Sequence, residues 1–128
     1  MDLQNKISDW LSRYIEDNSL DSFIIGISGG IDSAVTSALC AHTNKRTIAI
    51  TMPIHQNPDE TDRGEKHIEW LKSKYENVEG LHIDLTESYE KIKDTVPIEF
   101  QSELSLANTR ARIRMSVLYL VAGSTNGI

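Results

Sequence analysis

Apolar residues at Leu3, Ile7, Trp10, Leu11, Tyr14 and Ile15 recur at helical spacing and mark one stripe of an amphipathic helix, which Asn18 to Asp21 ends. Phe23-Ile24-Ile25-Gly26-Ile27 follows, a continuous apolar run too short for a buried helix and rich in β-branched side chains. It predicts a strand covered on both faces. Helical spacing returns from Asp32 to about His42 at the apolar positions Ala34, Val35, Ala38 and Leu39, with Asn44 as a stop. Thr47 to Met52 is a second buried strand closed by Pro53. Asn57 before Pro58-Asp59-Glu60 has the composition of a helix start, and a helix to about Tyr75 places Ile68, Leu71 and Tyr75 inward. Leu81 to Leu85 predicts a weaker third strand, and Thr86 to about Lys93 a short helix before Pro97. From about Ser102 to Ala122 a long helix places Leu104, Ala107, Ala111, Met115, Leu118 and Ala122 on one stripe and ends at Gly123 as its C-cap.

Helices alternating with buried strands imply crossover units, hence an α/β fold with a parallel sheet flanked by helices. Residues 1–128 form a single domain in this reading. Asn126-Gly127-Ile128 resembles a turn opening onto one more strand. The expectation is therefore a sheet truncated after the third strand and following helix, with one face thinly covered, in the N-terminal part of a longer domain.

Thirteen Lys plus Arg against nineteen Asp plus Glu give a formal net charge of -6. That balance repels polyanions, so nucleic acid is not an expected partner. Cys40 is the single cysteine, which excludes an internal disulfide and any CxxC pair and fits a reducing, cytoplasmic setting. The first residues alternate charged and apolar positions, without the stretch a signal peptide or membrane span requires.

Ser28-Gly29-Gly30-Ile31-Asp32-Ser33 lies between a buried strand and a helix N-terminus, where an open α/β sheet presents its ligand crevice. Two glycines let successive N–H groups turn inward as an anion nest, reinforced by the helix dipole. Ser28 and Ser33 add hydroxyl donors, and Asp32 beside a phosphate site calls for an intervening cation, for which Mg²⁺ is the natural candidate. A plain turn with Asp32 as a helix cap is the bland reading. It does not account for hydroxyls, glycines and an acid coinciding at a strand-to-helix junction. Neither GxxxxGK[ST] nor GxGxxG is present, which removes the kinase, GTPase and dinucleotide-fold readings.

The SGGIDS loop resembles the signature of the ATP-pyrophosphatase, or adenine nucleotide alpha-hydrolase-like, superfamily, which includes NAD, GMP, asparagine and tRNA lysidine synthetases. Three features are similar to the NAD synthetase family in particular. They are Gly26-Ile27 leading into SGGIDSA, Thr51-Met52-Pro53 before an acid-rich helix start, and Asn108-Thr109-Arg110-Ala111-Arg112-Ile113-Arg114-Met115. The last matches Asn-x-x-Ala-Arg-x-Arg-Met at every fixed position. The resemblance implies adenylation of the nicotinate carboxylate of deamido-NAD by ATP, then displacement of AMP by ammonia, with no protein nucleophile. It assigns ATP contacts to Gly26, Ile27, Ser28, Gly29, Gly30, Ile31, Asp32, Ser33 and Met52, the metal to Asp32, and deamido-NAD contacts to Arg112 and Asn108, with bracing of the helix as the alternative role for Asn108. It also implies a homodimer, with the last helix contributing to the interface.

Arg110 and Arg114 share a helix face, with Arg112 about 200° from Arg110, so one anion does not engage all three. The Arg110 and Arg114 pair is expected to be a solvated face. His42, His55, His67 and His82 are scattered and read as ordinary polar residues, and the Asp59, Glu60, Asp62 cluster as a helix start. The chain resembles only the first half of a NAD synthetase, so turnover by these residues alone is not expected. The short stretch before the loop leaves no room upstream for an amidase domain, which favours ammonia as donor. Two alternatives stand beside this reading: another ATP-pyrophosphatase, GMP-forming or tRNA-modifying, and a non-catalytic nucleotide-binding domain. A thiolating or tRNA-binding enzyme wants paired cysteines or a basic surface, and neither is found.

Overall fold

A computed structural model describes residues 2–128. Five helices, three strands and a 3₁₀ turn follow one another as α1 (Leu3–Asp17), β1 (Ser22–Ile27), α2 (Ile31–Ala41), β2 (Arg46–Thr51), α3 (Pro58–Lys74), β3 (Val78–His82), α4 (Thr86–Thr95), the turn Ile98–Phe100, and α5 (Glu103–Ser124). The strands form one parallel sheet in the order β1-β2-β3, with Ile24 opposite Ile48 and Thr47 opposite Val78. The expected fold class is thus the observed one.

Strand alternation sorts the core into two layers. Ile24, Ile48, Ile50 and Met52 point to one face, where Leu85, Tyr89 and the α5 residues Leu106, Ile113, Val117 and Leu118 cover them. Phe23, Ile27 and Ala49 point to the other, against Ile15 of α1, Cys40 of α2 and Ile68 of α3. Ala41, Leu71 and Val78 extend that second layer toward β3. Beyond β1, Ile24 N donates to Ile128 O at 2.8 Å and Ile128 N to Ser22 O at 3.0 Å, so residues 127–128 bridge in parallel to the edge of β1 away from β2.

The structure corrects four element details. The third strand is Val78–His82, not 81–85. As an edge strand it tolerates Glu79, whose carboxylate takes Arg46 Nη2 at 3.1 Å across the sheet, and it uses Gly80, where a Cβ would lie 2.5 Å from Ile68 Cγ2. In α2 the buried residues are Ser37, Cys40 and Ala41, while Val35 is 49 % exposed, because the helix meets both α1 and α3. In α1 the deep contact is Ile15, and Trp10 stacks on Tyr14 at the surface with ring centroids 5.5 Å apart.

The fourth correction concerns α5, which runs through Gly123 to Ser124 and presents Leu106, Ile113, Val117, Leu118, Val121 and Ala122 to the sheet. Leu104 of the expected stripe faces outward, 73 % exposed, and Met115 is only half-covered, 51 % exposed. Apolar residues surround this helix, so two stripes have helical spacing and the pattern does not choose between them. Its start is as expected: Ser102 and Ser105 cap each other reciprocally, amide to hydroxyl, at 2.9 and 3.1 Å.

Candidate functional site

β1 ends at Ile27, and the chain turns into α2 through Ser28, Gly29 and Gly30. Gly29 has φ 86°, in the left-handed region, and a Cβ there would stand 2.5 Å from the Glu60 carbonyl oxygen. Glycine meets both demands, the backbone angle and the close approach of α3. Gly64 makes the second close approach: a Cβ would meet Thr51 Cγ2 at 3.2 Å and the Gly29 amide at 3.7 Å. Two glycines facing each other thus press the first turns of α3 against the loop.

The loop hydroxyls brace the loop itself. Ser28 N donates to Ser33 Oγ at 3.1 Å, Gly30 N to Ser28 Oγ at 3.2 Å, and the two hydroxyls lie 3.2 Å apart. Gly30 caps α2 without a side-chain hydrogen bond, which leaves the first-turn amides of Ile31, Asp32 and Ser33 available to an anion, with the positive end of the helix dipole behind them.

Beside this loop a cleft of ≈ 260 Å³ opens between the C-terminal ends of β1 and β2 and the middle of α5. Gly26, Ile27, Ser28 and Met52 line it, as do Thr51, Gln56, Glu60 and Thr61 opposite, and Ala111, Arg114, Met115 and Leu118 from α5. A Cβ on Gly26 would lie 3.1 Å from Met52 Cε, so the glycine makes room for the methionine that forms the apolar floor.

Of the residues expected to hold ATP, the structure brings Gly26, Ile27, Ser28 and Met52 into the cleft wall. Gly29, Gly30, Ile31, Asp32 and Ser33 continue the loop outside that wall, with Ile31 74 % exposed. Asn108 and Arg112 are exposed on α5 and do not line the cleft. The expectation of a solvated Arg110 and Arg114 pair is corrected. Arg110 lies over the Tyr89 ring, 5.4 Å from its centroid, and its Nη1 donates to the Tyr89 hydroxyl at 3.1 Å. Arg114 is half-buried in the cleft wall, where Nε donates to Met52 O at 2.9 Å and Nη2 to Gln56 Oε1 at 3.1 Å. Burial, followed by the nearby charge of Arg110, pulls the Arg114 guanidinium below its ordinary value.

Arg114, Gln56 and Glu60 are among the cleft residues that sequence reasoning missed, with Thr51, Pro53, Thr61 and three apolar residues of α5. The Arg-x-Arg-Met stretch contained the signal, but choosing between its arginines requires knowing which stripe of α5 faces the sheet. The histidines are hydrogen-bonded throughout: His67 to Ser37 at 2.8 Å, His82 to Thr51 at 2.7 Å, His42 to Asn5 at 3.1 Å, and His55 to Glu90 at 2.6 Å. The last bond holds the Glu90 carboxyl below its usual range. Burial pushes the Cys40 thiol up to about 11, the value of an inert core residue.

Asp32 sits in the first turn of α2, exposed and without an ion-pair partner among the described residues. No group of three His, Cys, Asp or Glu among the described residues forms a protein cage for a metal. Mg²⁺ is ordinarily held by one or two carboxylates together with substrate phosphates, so the lone Asp32 carboxylate beside a loop of free helix-start amides fits that ion. Among the described residues no helix is long and apolar enough to cross a membrane.

Comparison with known proteins adds to this geometry. The profile of the NAD synthase family matches residues 3–128. An NH(3)-dependent NAD(+) synthetase of Carboxydothermus hydrogenoformans is 29 % identical over 94 % of this chain and 49 % of its own length. Among solved structures, an NMN synthetase from Francisella tularensis superposes with a TM-score of 0.88 at 32 % identity, covering 98 % of this chain and 50 % of that one. An NH3-dependent NAD synthetase from Campylobacter jejuni gives 0.85 at 27 % identity, covering 99 % and 55 %. The chain spans about half the length of the relatives it matches.

Proposed function

The chain belongs to the NAD synthase family, and on that premise we propose that its cleft binds ATP for the amidation of deamido-NAD to NAD, with ammonia as nitrogen donor. One observation carries the proposal: the left-handed Gly29 turn delivers the uncapped amides of α2 to the edge of a cleft floored by Met52. Triphosphate and base then have complementary surfaces at the two ends of one hollow.

In this reading the nicotinate carboxylate attacks the α-phosphorus of ATP, pyrophosphate leaves, and ammonia displaces AMP to form the amide. No side chain acts as nucleophile. The chain's own contribution is to bind and orient: Ser28 to Ser33 hold the departing pyrophosphate, and Gly26, Ile27 and Met52 seat the adenosine end. Asp32 would hold Mg²⁺, which when bound supplies charge neutralisation at the phosphates. Arg112 and Asn108, on the outer face of α5, are assigned to deamido-NAD. A homodimer built on that exposed face would bring them to a shared site, and the cytoplasm is the proposed setting.

Calorimetric titration of the 128-residue chain with ATP and Mg²⁺ tests the cleft. Saturable binding is expected, weakened by about tenfold or more in Asp32→Ala when Mg²⁺ is present and little changed when it is absent. Equal affinities of the two proteins with Mg²⁺ would overturn the metal assignment, and no binding by either would overturn the cleft. The Francisella relative, an NMN synthetase, supports a second reading, in which the acceptor is a mononucleotide rather than a dinucleotide. Titrating deamido-NAD against nicotinate mononucleotide in the presence of ATP separates the two.

A further inference from the structure

The β2–α3 connection, Met52 to Asn57, lines the cleft as a strap. Its middle is held from the α4 side, where Leu85 N donates to Pro53 O at 2.9 Å, His55 N to Thr86 Oγ1 at 3.1 Å and His55 Nε2 meets Glu90 Oε1, and its two ends are held from α5. Arg114 of α5 bonds to it twice, through Nε to the Met52 carbonyl and through Nη2 to the Gln56 amide oxygen, at 2.9 and 3.1 Å. Gln56 passes the contact on, since its Nε2 donates to Glu60 Oε2 at 2.7 Å. Glu60 in turn is the residue whose carbonyl stands against Gly29. A continuous series of contacts therefore runs from α5 through the strap and α3 to the phosphate loop.

We infer that Arg114 is a positioning residue which sets the strap as a wall of the nucleotide cleft, acting through the Met52 carbonyl and the Gln56 amide. The amide orientation follows from its neighbours: the oxygen must face the guanidinium and the nitrogen the carboxylate. Arg114 has no carboxylate within ion-pair distance among the described residues, so its charge is met by a carbonyl, an amide dipole and solvent. A planar fork with donors at fixed angles makes two such bonds at once, and an ammonium on a flexible stem does not. A second arginine, Arg110, lies one turn away on the same helix face and is occupied by Tyr89. His55, in the middle of the strap at φ 49°, is fixed by Thr86 and Glu90 of α4, so Arg114 acts on the two ends that α4 leaves free.

This assignment rests on the nucleotide reading of the cleft for its consequence, but not for its geometry, and the test separates the two. Amide hydrogen exchange over residues 54–57 is measured without nucleotide, and ATP affinity by calorimetry, for the 128-residue chain and for Arg114→Lys, Arg114→Met and Gln56→Ala. Positioning predicts faster strap exchange and ATP binding weaker by on the order of tenfold in Arg114→Lys as well as Arg114→Met. Gln56→Ala, which keeps the Met52 bond, falls between them and the unaltered chain, and answers the question if the arginine variants do not fold. Wild-type exchange and affinity in Arg114→Lys would overturn the inference, since positive charge alone would then suffice. Absence of ATP binding by the unaltered chain would sink the nucleotide reading while leaving the exchange result to decide the role of Arg114.

Discussion

Gly29 shows how much a single residue decides when two constraints coincide. Its φ of 86° alone makes an alanine costly, and the Glu60 carbonyl 2.5 Å from any Cβ blocks relaxation toward α3. Gly30, at φ -91°, carries neither burden, the nearest atom to its notional Cβ being Ser28 Oγ at 3.4 Å. Gly29→Ala should therefore lower unfolding free energy by about 1–2 kcal/mol and Gly30→Ala by much less, as read from urea denaturation. This part of the site was legible in the sequence because it is local: six consecutive residues specify their own turn. Arg114 was not, because its role depends on atoms at Met52 and Gln56, 62 and 58 positions away.

At the scale of elements, β1, β2 and the helix starts were the readable part, and the bounds of β3 and the facing of helices were not. Strands β1 and β2 are buried on both sides, so their runs of apolar residues identify them without regard to register. β3 lies at an edge, where Glu79 and Gly80 are tolerated for reasons of pairing and clearance that hydropathy does not record. α2 and α3 are joined by another polar contact that the pattern hides, Ser37 Oγ to His67 Nε2 at 2.8 Å. Burial draws the His67 imidazole below its ordinary value, against the opposing effect of a bond to the Ala34 backbone. The folded form then prefers the neutral ring, so the unfolded chain takes up the proton first as pH falls. Stability from this group is full above the usual histidine range and declines as pH drops through it toward the lower folded value. The urea midpoint should accordingly fall between pH 7.5 and pH 5.5, and His67→Gln should flatten that slope.

For the molecule as a whole, the sheet has helices on both faces, but α5 leaves a broad apolar surface uncovered. Leu104, Tyr119 and Leu120 are 73, 72 and 69 % exposed, a concentration more usual at interfaces than on isolated domains. The proposed homodimer would bury it. Sedimentation equilibrium should show association at micromolar concentration, and Tyr119→Glu with Leu120→Glu should leave a folded monomer. A monomer at all concentrations would remove that face from the account and with it the shared site at Arg112.

The bridge of residues 126–128 onto the start of β1 has a kinetic corollary. Asn126 Nδ2 donates to Ser19 O across 107 positions, at 2.8 Å, and the Ile24 and Ile128 backbones pair beside it. Contacts so distant along the chain form late, after nearer pairings have paid most of the loop-closure entropy. During synthesis the strand that launches the glycine turn is therefore made early and clasped on its second side late. Slowing translation in the codons before Asn126 should lengthen the window in which that open strand edge is prone to pair with other chains.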